Sequence, residues 1–324
     1  MLTALLGSAN DPQIRHLANA LKSEGVNFFI ADTADFGNKW SLSYDPDFDD
    51  GLIHFDDEES RVNAGESTRV AFSTIYSAYW HEYRAMTVPV ENEEENKCLN
   101  IANGSALSGD TQWLEQERSS ALQCWFYYDS IKWVNSIDAV RSHQCKAIQL
   151  RKVANLGANI PYSFIGNSPT VAAQFCSNMK RVIYKPVRGG KTAQHVIKQP
   201  NMRALFSTVL AQRPVTLQKY IAGTNVRSYV LGEDVLSVQI DSHELDYRND
   251  PDATLHTTII AKPIKQLAIR ICKTLGMHWC AIDWRKSAKG TFFFLEANPC
   301  PFYLKVEKET GHDITGRLLR LLTA

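Results

Sequence analysis

The sequence predicts an α/β protein that opens with a parallel sheet and carries antiparallel strands further along the chain. Leu2 to Leu6 and Val26 to Ile30 are short apolar runs, and a helix with apolar residues at helical spacing separates them. A strand, a helix and a strand in this order are typical of a parallel sheet. Later in the chain, short apolar runs follow one another with brief turns between them, which predicts antiparallel strands.

The boundaries of the first helix are well marked, because Asp11 and Pro12 precede it and Gly25 follows it. We expect the polar stretch 32–66 to be a solvent-exposed loop that contains one strand, at 51–55. Further strands are expected at 70–76, 133–136, 181–186, 194–198, 215–220, 226–231 and 235–241. Further helices are expected at 111–128, at 143–156, from Ser168, at 264–275 and from Ile314.

The composition describes an ordinary folded protein without a charge bias. The chain has 324 residues, of which 44% are hydrophobic and 22% are charged, and its formal net charge is zero. This balance gives no field that attracts nucleic acid or an anionic membrane, so we expect neither as a partner. The seven cysteines form no Cys-x-x-Cys pair and the start lacks a secretory signal, which favours a cytoplasmic location.

Two predicted strands near the end of the chain carry residues with oxygen ligands. Asp283 lies in the first strand, and Glu296 and Asn298 lie in the second. Glu296 and Asn298 point to the same face of an extended strand, because side chains alternate with a period of two. Carboxylate and amide oxygens suit Mg²⁺, which nucleotide enzymes hold with one or two carboxylates and the phosphates of the substrate. The three residues therefore predict a magnesium site.

A lysine and a glycine-rich loop form a second candidate site. Lys185 ends an apolar strand, and Arg188-Gly189-Gly190-Lys191 follows it. Adjacent glycines let the backbone approach phosphate oxygens closely, and a strand lysine beside them can neutralise triphosphate charge. The alternative is an exposed lysine before a hairpin turn. The magnesium pattern downstream favours the nucleotide site.

These motifs together resemble the ATP-grasp ligases over roughly residues 135–315. Further motifs that carry the resemblance are Asn135-Ser136, Gln144 to Leu150, Gln218-Lys219-Tyr220-Ile221, Asn225-Val226-Arg227 and Asp246-Tyr247-Arg248. The last is similar to the Asp-Trp-Arg element of the microviridin-type (graspetide) peptide ligases, and Tyr79 to Arg84 loosely resembles another segment of that family. The chain departs from the family at Asn225, where an acid is usual, and at Cys145, where Asn is usual.

The resemblance implies an ATP-grasp fold that follows an N-terminal parallel-sheet domain. Its parts would be a pre-ATP-grasp α/β domain at 1–132, a central subdomain with the glycine-rich loop at 133–212, and a C-terminal subdomain with the magnesium site at 213–324. A homodimer is also implied.

The resemblance also implies a role for each candidate residue, with ATP and Mg²⁺ as cofactors. The nucleotide would be bound by Lys146, Lys185, Gly189, Gly190, Gln218, Lys219, Tyr220 and Ile221, and Mg²⁺ by Asp283, Glu296 and Asn298. Arg227 and Arg248 would stabilise the transferred phosphate or an acyl phosphate. Asp246 and His243 are candidates for a general base.

The function that follows is ATP-dependent ligation on a ribosomal precursor peptide. The enzyme would activate side-chain carboxylates as acyl phosphates and join them to hydroxyls or amines of the same peptide, which makes macrocyclic esters or amides. One alternative is a glutamate-ligase type of ATP-grasp enzyme that adds a free amino acid to a carboxylate. Another is a nucleotide-binding regulatory protein with a decayed site, which the intact charged residues argue against.

Overall fold

The computed structural model describes residues 1–56, 68–84, 111–188 and 192–324. These residues form two compact units, Met1–Ile137 with Leu322–Ala324, and Asp138–Leu321. None of the described helices is long and apolar enough to cross a membrane. The predicted α/β class is confirmed, because a parallel sheet and several antiparallel sheets occur in one chain.

The first unit is built on a parallel sheet. In chain order its elements are β1 (Leu2–Leu6), α1 (Pro12–Ser23), β2 (Asn27–Ala31), β3 (Trp40–Asp45), β4 (Asp50–Phe55), β5 (Arg69–Ala71), β6 (Ser77–Trp80), α2 (Thr111–Phe126) and β7 (Lys132–Val134). The described strands of the parallel sheet lie in the order β2-β1-β6-β7, and β3, β4 and β5 form a separate antiparallel sheet. The predicted opening is confirmed, and Asp11 caps α1 by accepting hydrogen bonds from the N–H groups of Gln13 and Ile14.

Two expectations for this unit are wrong. Residues 40–45 belong to a strand and not to a loop, because Trp40 is buried against Trp125 with ring centroids 5.9 Å apart and the strand pairs with β4. The single strand expected at 70–76 is broken by a 3₁₀ turn at Phe72–Thr74. The break is needed because β5 pairs with β4 in one sheet while β6 joins the parallel sheet.

The second unit contains two antiparallel sheets. Its elements, of which α3 and α9 extend just past its ends, are α3 (Ile137–His143), α4 (Lys146–Asn155), β8 (Ser163–Gly166), α5 (Pro169–Asn178), β9 (Val182–Lys185), β10 (Gln194–His195), α6 (Met202–Gln212), β11 (Val215–Lys219), β12 (Gly223–Leu231), β13 (Asp234–Asp241), β14 (Thr254–Thr257), α7 (Lys262–Thr274), β15 (Trp279–Ser287), β16 (Phe292–Asn298), α8 (Leu304–Thr310) and α9 (Ile314–Thr323). The described strands lie in the orders β10-β9-β11-β8 and β14-β13-β12-β15-β16. The helix expected at 143–156 is shorter and begins at Lys146, because α3 ends at His143.

Each sheet of the second unit has one apolar face and one polar face. In the first sheet, Val182, Val215 and Leu217 pack against α5 and α6. In the second sheet, the strands β12, β15 and β16 pack against α4 and α7 in the same way. Burial of these apolar faces stabilises the unit. Because side chains alternate along a strand, the intervening residues point to the opposite faces, where the candidate site lies.

Candidate active site

The polar faces of the second unit line a cavity of about 750 Å³. Of the predicted site residues that the structure describes, all except the candidate base His243 line this cavity: Lys146, Lys185, Gln218, Lys219, Tyr220, Ile221, Arg227, Asp246, Arg248, Asp283, Glu296 and Asn298. Gly189 and Gly190 lie outside the described residues. A cavity of this size that combines apolar walls with a few polar groups is typical of a small-molecule site.

A charged row crosses the floor of the cavity from β12 to β16. Arg227 pairs in register with Asp283, and Asp283 pairs in register with Glu296. Arg227 Nη1 donates to both carboxylate oxygens of Asp283 at 3.1 Å and to the Tyr247 hydroxyl at 2.7 Å. The row therefore places a buried guanidinium and two carboxylates side by side on one face of the sheet.

An irregularity in β16 brings an apolar side chain next to this row. The register of β15 with β16 shifts between Asp283 and Trp284, because Asp283 pairs with Glu296 while Trp284 pairs with Phe294. The extra residue, Leu295, lines the cavity together with Glu296. The cavity thus has an apolar contact immediately beside a carboxylate.

Glu296 is held by a cation from α4. Lys146 Nζ lies 2.8 Å from Glu296 Oε2, and it lies 3.2 Å from both ring nitrogens of His143. Burial alone would raise the pKa of Glu296, but the charges of Lys146 and Lys185 outweigh burial and lower the pKa to about 2. The Glu296 carboxylate therefore stays ionised at physiological pH.

His143 is a contact that the sequence did not single out. Its Nδ1 donates to the carbonyl oxygen of Ala297 at 2.8 Å, which fixes the proton on that nitrogen because a carbonyl only accepts. Burial and the nearby Lys146 charge lower the pKa of the imidazole to about 4. A neutral ring therefore stands beside Lys146.

The arginine and the carboxylate at the centre of the row titrate in a buried environment. Burial would lower the pKa of the Arg227 guanidinium, but Asp283 outweighs burial and raises it. Burial raises the pKa of the Asp283 carboxyl, and Glu296 adds to this effect while Arg227 opposes it. Burial also lowers the pKa of the Lys185 ammonium, whose Nζ donates to Gln218 Oε1 at 3.1 Å.

The oxygen donors at the end of the row fit a magnesium ion. Asp283 and Glu296 each keep acceptor capacity, because an ionised carboxylate has about four lone-pair sites and its cationic partner occupies only one or two of them. Asn298 Oδ1 accepts the N–H of Cys300 at 2.9 Å, which fixes the orientation of its amide. An all-oxygen set with two carboxylates is the chemistry that Mg²⁺ prefers.

Arg285 supports the segment that follows β11, and the sequence did not single it out. Its Nε donates to the carbonyl oxygen of Ile221 at 3.0 Å, its Nη1 to Asn225 Oδ1 at 2.6 Å and its Nη2 to the Tyr220 hydroxyl at 3.2 Å. One planar guanidinium thus ties the hinge, the segment 219–221 that is predicted to bind the nucleotide, to β12. One feature of the sequence could have indicated that Arg285 belongs to the site: it lies two residues after Asp283, on the same face of a strand.

Arg248 and Asp246 form a paired unit in the loop after β13. Arg248 Nε lies 2.8 Å from Asp246 Oδ1, and Arg248 Nη2 lies 2.6 Å from Asp246 Oδ2, so the pair is bidentate. Burial would raise the pKa of Asp246, but its hydrogen bond and ion pair with Arg248 lower it. About half of the Arg248 side chain is exposed, so it can contact a substrate.

A family model described as the RimK-like ATP-grasp domain matches residues 141–322. A curated relative from Stenotrophomonas maltophilia (strain K279a), named probable alpha-L-glutamate ligase, is 27% identical over 200 residues, which are 57% of this chain and 65% of the relative. The chain thus spans slightly less than two thirds of the length of this relative.

Solved structures show that the fold covers the whole chain. The ATP-grasp ligase PsnB, in complex with a phosphomimetic variant of a minimal precursor, Mg and ADP, is 20% identical, with a TM-score of 0.79 over 99% of this chain and 97% of PsnB. The macrocyclase MdnC from Microcystis aeruginosa MRC, bound with precursor peptide MdnA, is 17% identical, with a TM-score of 0.78 over the full length of both chains. These matches confirm the ATP-grasp fold that the sequence motifs predicted.

Proposed function

The chain belongs to the RimK-like ATP-grasp family, and on this premise we propose that it is an ATP-dependent ligase that acts on side-chain carboxylates of a ribosomal precursor peptide. The observation that carries the proposal is the row Arg227–Asp283–Glu296, with Lys146 at one end, in the cavity that Lys185 and Arg248 also line. Cations and oxygen donors of this kind suit the transfer of a phosphoryl group between anionic partners.

The nucleotide would lie between the two sheets of the second unit. The backbone of Lys219 to Ile221 would bind the base edge, and Ile183 and Leu295 would contact its faces, since all of them line the cavity. Lys146 and Lys185 would neutralise the phosphate chain. Mg²⁺, when bound to Asp283, Glu296 and Asn298, would neutralise charge that develops on the β- and γ-phosphates.

The reaction would proceed through an acyl phosphate. A carboxylate oxygen of the peptide attacks the γ-phosphorus, the bond from that phosphorus to the β-phosphate oxygen breaks, and ADP leaves. Arg227 and Arg248 stabilise the charge spread over the transferred group. A hydroxyl or amine of the same peptide then attacks the acyl carbon, inorganic phosphate leaves with the carboxylate oxygen, and the nucleophile loses its proton.

Asp246 fits an orienting role better than that of a general base. Its two carboxylate oxygens already accept two hydrogen bonds from Arg248. A carboxylate whose pKa is lowered by such an ion pair binds a proton weakly, which makes it a poor base. We therefore propose that Asp246 holds Arg248 toward the substrate carboxylate. The other candidate base, His243, is exposed and is not among the residues that line the cavity.

The far end of the cavity supports a peptide as the substrate. Ile240 on β13 and Leu255 on β14 pair in register, and they line the cavity with Leu245 and Val306. At this end Phe302 exposes 69% of its surface. A peptide has apolar side chains beside its carboxylates that can cover these residues, whereas free glutamate has a second carboxylate and an ammonium that would lose their hydration there.

A second candidate function is the addition of a free amino acid to a carboxylate. It is supported by the name of the Stenotrophomonas relative. The activation chemistry would be the same, so the row of charged residues supports both candidates equally. The candidates differ in the second substrate, and therefore in the mass of the product.

Mass spectrometry of a peptide encoded beside this chain's gene, after incubation with the protein, ATP and Mg²⁺, tests the proposal. We expect the loss of one water for each bond formed, with one phosphate released per bond. A mass gain of one amino-acid residue would support the glutamate-ligase type instead. An unchanged mass with no phosphate released would count against both ligase candidates and support a binding role. The homodimer and the cytoplasmic location stay predictions.

A further inference from the structure

Thr216 is a buried polar residue in the wall of the cavity. It lies on β11 directly opposite Lys185 on β9, and it points to the same face as Gln218 two residues later. Only 5% of its surface is exposed, and its hydroxyl has no hydrogen-bond partner among the described residues. The wall therefore carries a buried hydroxyl that the described part of the protein leaves unsatisfied.

The polar neighbours of Thr216 on this wall are already engaged with one another. Lys185 Nζ donates to Gln218 Oε1 at 3.1 Å, and Gln218 Nε2 donates to Ser163 Oγ at 3.0 Å. A valine would have the same shape as Thr216, suit a strand equally well and avoid the cost of burying an unpaired hydroxyl. A ligand that pairs with the hydroxyl explains why threonine occupies the position.

We propose that the Thr216 hydroxyl makes a hydrogen bond to the base edge of the bound nucleotide. The inference rests on the proposed nucleotide site. β11 leads directly into Lys219 to Ile221, so Thr216 lies at the inner end of the base pocket, beside the part of the wall that Ile183 forms. A hydroxyl can donate to the ring nitrogen N7 of adenine or accept from its 6-amino group.

The test compares Thr216→Val, which removes the hydroxyl, with Thr216→Ser, which keeps it. Calorimetric titration with ADP and Mg²⁺ should show that the valine variant binds ADP about five- to tenfold more weakly than wild type does. One hydrogen bond usually contributes about this much to affinity. The serine variant should bind within about twofold of wild type, because the hydroxyl is retained. Without nucleotide, thermal unfolding of the valine variant should match wild type or occur at a higher temperature, since no internal hydrogen bond is lost.

Two ADP analogues locate the contact. Purine riboside 5′-diphosphate lacks the 6-amino group, and 7-deaza-ADP lacks N7. We expect the penalty of Thr216→Val to disappear with one of these analogues, because the partner atom is then already absent. A penalty that persists with both analogues, or a valine variant that binds ADP like wild type, would overturn the role of Thr216. Failure of the wild-type protein to bind ADP would instead overturn the proposed nucleotide site as well.

Discussion

Asp283 lies directly opposite Glu296 across the β15–β16 pair, and Arg227 lies directly opposite Asp283 on its other side. The separation of thirteen positions between the two carboxylates in the chain is therefore a consequence of strand length and turn length. Paired positions on neighbouring strands bring side chains within about 5 Å of each other on one face. The sheet register alone thus assembles the two carboxylates and the guanidinium, and α4 adds Lys146 to the end of the row.

The first prediction concerns Glu296 as a magnesium ligand. Glu296→Gln removes the charge of one ligand but keeps the shape of the side chain, so ADP should still bind in the absence of Mg²⁺. We expect Mg²⁺ to increase ADP affinity in wild type, and this increase should be largely lost in the variant, along with at least about a hundredfold of the ligase activity. Calorimetric ADP titrations with Mg²⁺ and with EDTA measure the first effect.

Glu233→Gln is the matched control for this variant, because Glu233 is exposed and its ion pair with Lys273 lies on the surface. Glu233→Gln should leave the Mg²⁺-dependent increase in ADP affinity and the ligase activity as they are in wild type. If Glu296→Gln kept the full Mg²⁺ effect and normal turnover, Glu296 would not be a metal ligand.

The second prediction concerns Arg248 as a contact to the reacting carboxylate. Arg248→Ala should bind ADP within about twofold of wild type and lose about a hundredfold or more of the phosphate release that depends on peptide. Arg248→Lys keeps the charge but not the planar fork, so its activity should lie between that of wild type and that of Arg248→Ala. Arg320→Ala, at an exposed position on α9, is the control. Full product formation by Arg248→Ala would show that Arg248 has no role in the reaction.

The third prediction concerns the support that Arg285 gives to the hinge. Arg285→Lys keeps a positive charge but cannot reach the Ile221 carbonyl, the Asn225 amide and the Tyr220 hydroxyl together. We expect ADP affinity to fall about tenfold, because the backbone that binds the base loses its fixed position. Calorimetry measures the effect. Unchanged affinity would mean that the hinge holds its position without Arg285.

The fourth prediction concerns Gly223, where β12 begins. Gly223 has φ +153°, and a Cβ at this position would lie 2.0 Å from the carbonyl oxygen of Lys286 on β15. Gly223→Ala should therefore destabilise the protein by on the order of 3 kcal/mol or more and reduce the ligase activity, since β12 carries Arg227. Gly290→Ala is the control, because its φ is +80° with open space around it, and it should cost only about 1 to 2 kcal/mol. Equal losses in thermal unfolding would contradict the prediction.

The fifth prediction concerns the dependence of stability on pH. Folding lowers the pKa of His143 from its ordinary value of 6.5 to about 4, so the unfolded chain binds the proton more tightly than the folded protein does. Stability should therefore decrease as the pH falls from 6.5 to 4, by up to about 3 kcal/mol from this residue. Below about pH 4 the loss of stability due to His143 does not increase further.

His143→Asn should reduce this acid-induced loss, because asparagine does not take up a proton. Its amide nitrogen can replace the Nδ1 donor to the Ala297 carbonyl. The same change at the exposed His243 should leave the pH profile as in wild type. Thermal unfolding at several pH values between 6.5 and 4 compares the three proteins, and identical profiles would show that His143 does not contribute.

The sequence singled out the polar residues of the candidate site, but it did not predict how the residues around them pack. Asp283, Glu296 and Asn298 could be recognised because each stands in a strong apolar run, where a polar residue is conspicuous. The irregularity at Leu295 could not, because Phe292-Phe293-Phe294-Leu295 is apolar throughout and gives no alternation to read. His143 could not be recognised either, since its role depends on a contact between the end of α3 and β16.

The errors in secondary structure have local causes. The strand Trp40–Asp45 has an alternating pattern, Trp-Ser-Leu-Ser-Tyr-Asp, but the acidic residues around it resemble those of a solvent-exposed loop. The edge strand Thr254–Thr257 is mostly exposed and lacks an apolar face, so nothing in its sequence distinguishes it from a loop. In both cases pairing with the neighbouring strand decides the structure, with Asp45 opposite Asp50 and Asp241 opposite Thr254, and the residues of the strand itself do not contain that information.

We propose that this cavity converts a peptide carboxylate into an acyl phosphate, with ATP as the phosphoryl donor. The most direct measurement labels the side-chain carboxylates of the peptide with ¹⁸O and analyses the released phosphate by mass spectrometry. We predict one labelled oxygen in the phosphate for each bond formed, because the acyl phosphate breaks between the acyl carbon and that oxygen. Product formation with unlabelled phosphate, or with the label in AMP, would contradict an acyl-phosphate intermediate.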